Sequence, residues 1–441
     1  MKENTFYLIS LGCAKNSVDA DSMAALLIND GMVPVLKPSQ ARFLIVNTCG
    51  FIAPAREESI AELKNLSAKK KSDQLLIATG CLPQRYGAHL LDQVKGIDGI
   101  IGTRNWMDIA SYIADFRAGN PPVQRFNIPE TSLRMDYKNL ARVSLQGASA
   151  YLKIADGCRR LCAFCAIPLI KGKNVSRPID NILNDVQFLQ QMNIKEINLI
   201  AQDTTDYGSD LGMRDGLTTL IDHICEKAPL IPWIRILYAY PGFVTDRLIN
   251  RMASLPQMLH YLDIPLQHAD PGILKKMQRP SNIDQTIQTI EKMRKAMPDL
   301  AIRTTFIVGY PGETEREFQT LLDFISEVKF DRVGVFPFSF EKGTASEKYG
   351  DPISEEEKAD RVERLMMMQQ DISLKLNQKW VGKSMRVLIE GTDDTHSIGR
   401  TFRDAPEIDG LVFLDEKVEP GTLVNAQITG ALVHDLTAKL L

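Results

Sequence analysis

Little in the 441-residue sequence marks it for a membrane, a polyanion or an oxidising compartment. Lys and Arg number 52 against 55 Asp and Glu, a net charge of −3, so the chain as a whole is not a polycation suited to nucleic acid. No run approaches the ~18 apolar residues of a membrane span, and the opening MKENTFYLISLGC has no apolar stretch followed by a small-residue cleavage site. There is no low-complexity tract. Cysteine is scarce: there are seven, an odd number, in a chain too long to need disulfides for a core. These absences predict a soluble, cytoplasmic protein of about three domains. Its clustered cysteines are then expected to be metal ligands or catalytic groups.

What is present begins with alternation. FYLISLGC (6–13), RFLIVNTCG (42–50) and QLLIATGC (74–81) have the pattern of buried strands, and SVDADSMAALLIND (17–30) and PAREESIAELKNL (54–66) that of helices between them. This predicts a mostly parallel sheet over residues 1–118. The pattern dissolves in a linker, 119–146, that contains GNPPVQRFNIPETS. A longer alternation follows over 147–377, with strands expected at 149–156, 196–203, 233–240, 259–267, 300–309 and 331–340. Six such units are too few for a closed eight-stranded barrel, so a partial (β/α)6 barrel is expected. A long charged helix is expected at 354–380. Residues 378–441 carry short strands in MRVLIEG, GLVFLDE and TLVNAQITGAL, which predict a small antiparallel barrel.

Six of the seven cysteines form two triads. Cys13, Cys49 and Cys81 each end an expected strand beside a glycine and lie 36 and 32 residues apart, about one βα repeat. In a parallel sheet the carboxyl ends of the strands share one edge, where ligands bind, so the three should converge there. Cys158, Cys162 and Cys165, in DGCRRLCAFCAIP, follow the first strand of the second alternation. A structural zinc site closes with four Cys or His ligands. No fourth lies nearby, and His223 and Cys225, in LIDHICEKAP, read as structural helix residues. Iron–sulfur clusters use cysteine and can leave one iron without a protein ligand. The residues by themselves leave zinc and iron–sulfur both open.

CRRLCAFC, with Phe164 as its aromatic and placed at the mouth of a partial barrel, resembles the signature of radical S-adenosylmethionine enzymes. The resemblance implies a [4Fe–4S] cluster on Cys158, Cys162 and Cys165, with S-adenosylmethionine on the fourth iron. Reductive cleavage there yields a 5′-deoxyadenosyl radical. TTFIVGYPGET (304–314) is similar to the strand beside the adenine in these enzymes, which assigns Gly309 and Gly312 to the cofactor. LIAQDTTDYG (199–208) puts Gln202 and Asp203 at a strand end facing the same site. With SLGCAKN, VNTCGF and TGC ahead of this core and a TRAM-like barrel behind it, nearly the whole chain resembles the methylthiotransferase family. That implies a second [4Fe–4S] cluster on Cys13, Cys49 and Cys81, which carries the sulfur to be transferred. Three positions depart mildly from the family pattern: Arg159 stands where Asn is usual, Asp21 where Glu is more frequent, and Lys171 where Arg is common.

The family has two main branches. One modifies an adenosine of tRNA, the other the β-carbon of an aspartate in ribosomal protein S12. AYLKIADGC, SRPI, ILYAYP, YLDIPLQHA, RTTFIVGYPGE and GRTFRDAPEIDG resemble the second. Residues 378–441 hold seven Lys and Arg against ten Asp and Glu, an acidic balance that suits a basic ribosomal protein better than a phosphate backbone. Ribosomal protein S12 is therefore the expected partner, docked through Asp404, Glu407 and Asp409, with an electron donor such as flavodoxin and no direct need for nucleic acid. The alternatives are the same chemistry on isopentenyladenosine in tRNA and, more distantly, a non-catalytic iron–sulfur or zinc protein.

Overall fold

Apolar β-rich runs separated by amphipathic stretches bury themselves best as parallel strands covered by helices. The computed structural model describes residues 3–118, 126–128 and 140–441, and most of the expected linker, 119–146, lies outside them. The chain divides into two compact units. One takes in Met1–Ser144, Leu152–Ile182 and Glu341–Ala345, the other Leu145–Tyr151, Leu183–Phe340 and Ser346–Leu441. The division does not follow the expected domain order: the segment carrying Cys158, Cys162 and Cys165 belongs to the same unit as Cys13, Cys49 and Cys81.

In the first unit β1 (Thr5–Ser10), β2 (Val33–Pro34), β3 (Phe43–Thr48), β4 (Leu75–Gly80), β5 (Gly99–Gly102) and β6 (Phe126–Asn127) form one sheet in the order β2-β1-β3-β4-β5-β6. Its strand pairs are parallel. The crossovers carry α1 (Ala14–Asn29), α2 (Ala53–Lys69), α3 (Cys81–Tyr86), α4 (His89–Gln93) and α5 (Ile109–Arg117). Apolar cores lie on both faces, one around Phe43, Ile45 and Ile77, the other around Leu44, Val46 and Leu76. Alternate residues of the same strands feed opposite faces, as strand geometry requires.

The second alternation gives β7 (Val143–Gln146), β8 (Ser149–Lys153), β9 (Ala155–Asp156), α6 (Ile167–Lys171), β10 (Val175–Ser176) and α7 (Ile179–Gln191). Then come β11 (Glu196–Ile200), α8 (Gly216–Lys227), β12 (Trp233–Ile236), α9 (Asp246–Ser254), β13 (Met258–Asp263), α10 (Pro271–Lys276) and α11 (Ile283–Ala296). β14 (Ala301–Val308), α12 (Glu315–Val328), β15 (Arg332–Pro337) and α13 (Glu355–Gln378) complete it. The sheet order is β15-β14-β13-β12-β11-β8-β7, an open sheet with all six expected strands and β7 added at its edge. α12 starts where a capping box fixes it: Thr314 caps the helix and Glu317 reaches back to it.

β16 (Ser384–Thr392), β17 (Ser397–Arg400), β18 (Val412–Leu414), β19 (Leu423–Ala431) and β20 (Leu436–Leu440) close a barrel in the order β16-β17-β18-β20-β19. β17 and β20 are strands that the sequence pattern does not announce, because SIGR and LTAKL are short and half polar. β18 and β20 pair in parallel, so the barrel is not wholly antiparallel.

The barrel corrects the expected docking face. Asp404 is 1% exposed; it accepts from the Thr401 hydroxyl and pairs with the Arg332 guanidinium. Asp409 accepts from the Tyr261 hydroxyl at 2.6 Å and the Ala405 amide at 2.9 Å, and lies 3.3 Å from Arg303. Both carboxylates are internal ties between barrel and sheet and present nothing to a partner. Glu407 alone of the three is exposed. The sequence balance counts every charge as surface, but burial of Arg400, Arg403, Asp404 and the Asp409 carboxylate removes two cations and two anions. The exposed barrel therefore remains acidic through other residues.

Candidate functional site

The first cysteine triad is set by where the strands stop. Cys13 follows β1 and caps α1, Cys49 follows β3, and Cys81 follows β4 as the first residue of α3. Gly12 has φ +97°, and a Cβ there would lie 2.7 Å from Cys49 Cβ, so only glycine lets the first strand end approach the second this closely. Ser59 of α2 brackets Cys49: its Oγ accepts from the Cys49 amide at 3.0 Å and donates to the Cys49 carbonyl at 3.1 Å. Asn16 ties the set together. Its amide donates to the carbonyls of Leu11 (2.9 Å) and Thr48 (3.1 Å), and its Oδ1 lies 3.7 Å from the Cys81 thiol. Arg85 of α3 donates to the carbonyls of Gly50 at 2.9 Å and Phe51 at 3.2 Å and pairs with Glu341 at 2.7 Å.

The thiols sense one another. Burial pushes the Cys81 thiol up to about 12, against the pull of Lys171, and the neighbouring Cys49 and Cys13 add to the rise. Burial also raises Cys49, with Cys13 contributing. The expected convergence at one sheet edge is thus what the fold produces. Among the described residues no three Cys, His, Asp or Glu side chains come close enough together to share a single ion. A cluster takes one thiolate on each of several separated irons, and three soft thiols with no fourth ligand suit it.

The second triad lies in the loop between β9 and α6. Gly157 opens it with φ +75°, and a Cβ there would sit 2.1 Å from the Lys173 carbonyl oxygen. The Cys158 amide donates to the Gly172 carbonyl at 3.0 Å, which closes the base of the loop. Two backbone amides point at sulfur: Arg160 N to Cys158 Sγ at 3.4 Å and Ile167 N to Cys165 Sγ at 3.5 Å. Such contacts favour thiolate and are among the levers on cluster potential. Phe164 is half-buried in the same loop. The two triads are neighbours: Cys81 packs with Ala166, Ile170 and Phe51, and Arg104 donates to the carbonyls of Ile170 and Leu169 at 2.9 and 2.8 Å.

Beneath them lies a group the sequence reading did not single out: Asp19, Asp156, Lys153, Lys171 and Arg142, all buried. Lys171 Nζ is 2.9 Å from Asp19 and 3.6 Å from Asp156; Lys153 Nζ is 2.7 Å from Asp19. Lys153 also pairs with Asp156, and Arg142 with both carboxylates while stacking 4.4 Å over Trp106. Burial would raise the Asp19 carboxyl, but Lys153, Lys171 and Arg142 outweigh it and hold it below the usual range. The only sequence signal was Lys171, noted as a departure.

In the second unit Gln202 and Asp203 lie just past the end of β11 at Ile200. The Gln202 Oε1 is buried with no hydrogen-bond partner among the described residues, and buried Asp203 accepts from Thr205 at 2.5 Å. Gly309 and Gly312 have φ +73° and +89°, and a Cβ would meet the side chains of Lys358 and Lys276. Their need for glycine is thus already explained within the fold.

Three family models match: Radical SAM superfamily at 152–325, Uncharacterized protein family UPF0004 at 5–102, and TRAM domain at 381–441. A protein of Chloroflexus aurantiacus described as ribosomal protein uS12 methylthiotransferase RimO is 44% identical, covering 99% of both chains. Those of Syntrophus aciditrophicus and Carboxydothermus hydrogenoformans, described alike, are 41% and 40% identical over 99–100% of this chain and 99% of theirs. The chain belongs to the RimO methylthiotransferase family. It is a radical S-adenosylmethionine transferase, and membership implies a [4Fe–4S] cluster and S-adenosylmethionine. Among solved structures the fold is similar to the radical methyltransferase TsrM of Kitasatospora setae, at TM-score 0.56, 13% identity and coverage of 90% of this chain and 80% of that one. It is also similar to the cobalamin-dependent radical enzyme OxsB, at TM-score 0.52, 12% identity and coverage of 81% and 56%. At such identities the likeness is one of fold alone. Among the described residues no helix is long and apolar enough to cross a membrane.

Proposed function

We propose that this enzyme methylthiolates the β-carbon of an aspartate in ribosomal protein S12. The observation that carries the reading is the meeting of two cysteine triads in one compact unit, with Cys81 of the first packed against Ala166 and Ile170, just past Cys165 of the second. Cys158, Cys162 and Cys165 hold one [4Fe–4S] cluster, and Cys13, Cys49 and Cys81 hold another. When bound, the two clusters and S-adenosylmethionine supply the electron, the radical, the methyl group and the transferred sulfur.

The chain's own residues prepare this chemistry. Amides of Arg160 and Ile167 steady the sulfurs of Cys158 and Cys165, and Asn16 and Arg85 hold the first triad's strand ends together. Gln202 is the residue best suited to a polar contact with S-adenosylmethionine, because its amide oxygen is buried and unmet. The resemblance assigns Asp203, Gly309 and Gly312 to the same cofactor. A donor such as flavodoxin provides the electrons. The relatives' names point to uS12, and the exposed acids of the barrel, Glu390, Asp393, Asp394, Glu407, Asp415 and Glu419, suit a basic protein and repel phosphate.

The test offers the anaerobically reconstituted enzyme two substrates under identical reducing conditions, ribosomal protein S12 and isopentenyladenosine-containing tRNA. Mass spectrometry should find the methylthio group on one aspartate of S12 and none on the tRNA. Modification of the tRNA alone overturns the substrate and leaves the reaction standing. Modification of neither, with intact clusters, overturns both.

A further inference from the structure

The closed barrel turns two large apolar side chains to water. In β17 Ile398 is exposed between buried Ser397 and Gly399, and in β18 Phe413 is exposed between Val412 and Leu414 of the barrel core. Ile398 is 38% exposed and Phe413 39%. The two are not scattered. They stand directly opposite each other on the β17–β18 ladder, where side chains on one face meet. The row continues without charge: Gly391 of β16 pairs with Ile398, and Thr437 of β20 with Phe413. A Cβ on Gly391 would lie 3.3 Å from the Ile398 side chain, so glycine leaves that side chain room. The Thr437 hydroxyl is already met by Thr429 at 3.0 Å.

Along one border the row meets charge, mostly acidic. Asp393, Asp394 and His396 lie in the turn between β16 and β17. Asp415 follows Leu414 and Lys439 follows Ala438, two residues that pair. All five are exposed, three acids against one lysine and a histidine counted as neutral. Glu390, next to Gly391, is also exposed and pairs with buried Arg400. An apolar centre with a polar rim is the anatomy of a protein–protein contact, and an aromatic ring at that centre is a frequent anchor. Chemistry selects among occupants. A nucleic-acid base could stack on Phe413, but its phosphates would meet the acids. A second copy docked about a twofold axis would set the same acids against one another. A basic protein with an apolar side chain between Lys or Arg residues satisfies both centre and rim.

We propose that this outer face of the barrel, centred on Ile398 and Phe413 and bordered by Asp393, Asp394 and Asp415, docks the protein substrate. Phe413 and Ile398 cover an apolar side chain of the partner, and the acids face its flanking Lys or Arg. The proposal rests on ribosomal protein S12 as the substrate and names the surface that receives it. The face acts through affinity and association rate, and takes no part in the chemistry at the clusters.

The experiment uses the full-length, anaerobically reconstituted enzyme and purified ribosomal protein S12. Ile398→Thr with Phe413→Thr removes the apolar centre and keeps good strand formers at both outward positions. Asp394→Lys with Asp415→Lys reverses the rim. Scanning calorimetry checks that each variant melts as the parent does. The apolar variant should raise both Kd and KM for S12 at least about tenfold, with kcat at saturating S12 within about twofold of the parent. The charge variant should slow association at least about fivefold at low salt and flatten its dependence on salt. Parent-like Kd, KM and association rate in both variants overturn the proposal and leave the substrate reading standing. A parent enzyme that neither binds nor modifies S12 overturns the substrate reading, and the proposal with it. Binding of isopentenyladenosine-containing tRNA that Phe413→Thr abolishes assigns the face to RNA, and a parent dimer in sedimentation that Phe413→Thr splits assigns it to a second copy; either result also overturns the proposal. Should the double apolar variant melt below the parent, Phe413→Thr alone and the charge variant decide by the same criteria.

Discussion

Asn16 donates to the Leu11 and Thr48 carbonyls and lies against the Cys81 thiol, so one side chain spans all three strand ends of the first triad. Asn16→Leu removes both donors and leaves two carbonyl acceptors unmet, which costs about 1–3 kcal/mol for each that stays buried. Lower urea stability and weaker retention of iron on gel filtration are the expected outcomes, with all six ligand cysteines still present. Ligand changes should act differently. Two clusters imply about eight irons per chain after reconstitution. Replacing Cys13, Cys49 and Cys81 together by Ala should bring this to about four by colorimetric assay, with reductive S-adenosylmethionine cleavage partly retained. Cys225→Ala should leave the count unchanged, because Cys225 lies half-buried on α8, where burial raises its thiol above the ordinary value.

Between elements, the barrel is fastened to the sheet by buried ions. Glu196 of β11 pairs with Arg400 of β17 at 2.6 Å and with Arg235 of β12 at 2.8 Å. Burial alone would raise its carboxyl, but Arg400 and Arg235 outweigh that and bring it from 4.5 down to about 2. A depressed carboxyl gives stability that is full above its unfolded value and is lost as pH falls toward the folded one. Acid denaturation should therefore steepen between about pH 4.5 and 2, by about 3 kcal/mol from this group. Glu196→Gln should flatten that segment in a urea-against-pH series while lowering stability at neutral pH. Asp404→Asn strips Arg332 of its buried partner and should cost about 3–5 kcal/mol, seen as a lower urea midpoint.

At the scale of the whole molecule, these pairs make the barrel part of the second unit rather than a tethered module. Ending the chain at Gln378 would remove Arg400 from Glu196, Asp404 from Arg332 and Arg403 from Asp331. The truncated protein should melt at a distinctly lower temperature by scanning calorimetry. A melting temperature equal to that of the full chain would mean that the barrel contributes nothing to the unit it packs in.

The six strands of the second alternation, the parallel first sheet and the meeting of Cys13, Cys49 and Cys81 were legible in the sequence, because each depends on local periodicity or on the rule that parallel strands share a carboxyl edge. β17 and β20 were not, since four or five half-polar residues carry no period until the barrel closes around them. The charge group of Asp19, Asp156, Lys153, Lys171 and Arg142 was not legible either. Its members stand up to 152 residues apart, and nothing local distinguishes a buried lysine from a solvated one. For the same reason DAPEIDG read as an acidic surface, whereas two of its three acids face inward to Arg332, Tyr261 and Arg303. Sequence by itself determined most of the elements and their order, because backbone propensity and apolar spacing act over a few residues. Tertiary structure alone decided which charges are buried and what they pair with, because desolvation and Coulomb attraction depend on neighbours that only folding brings together.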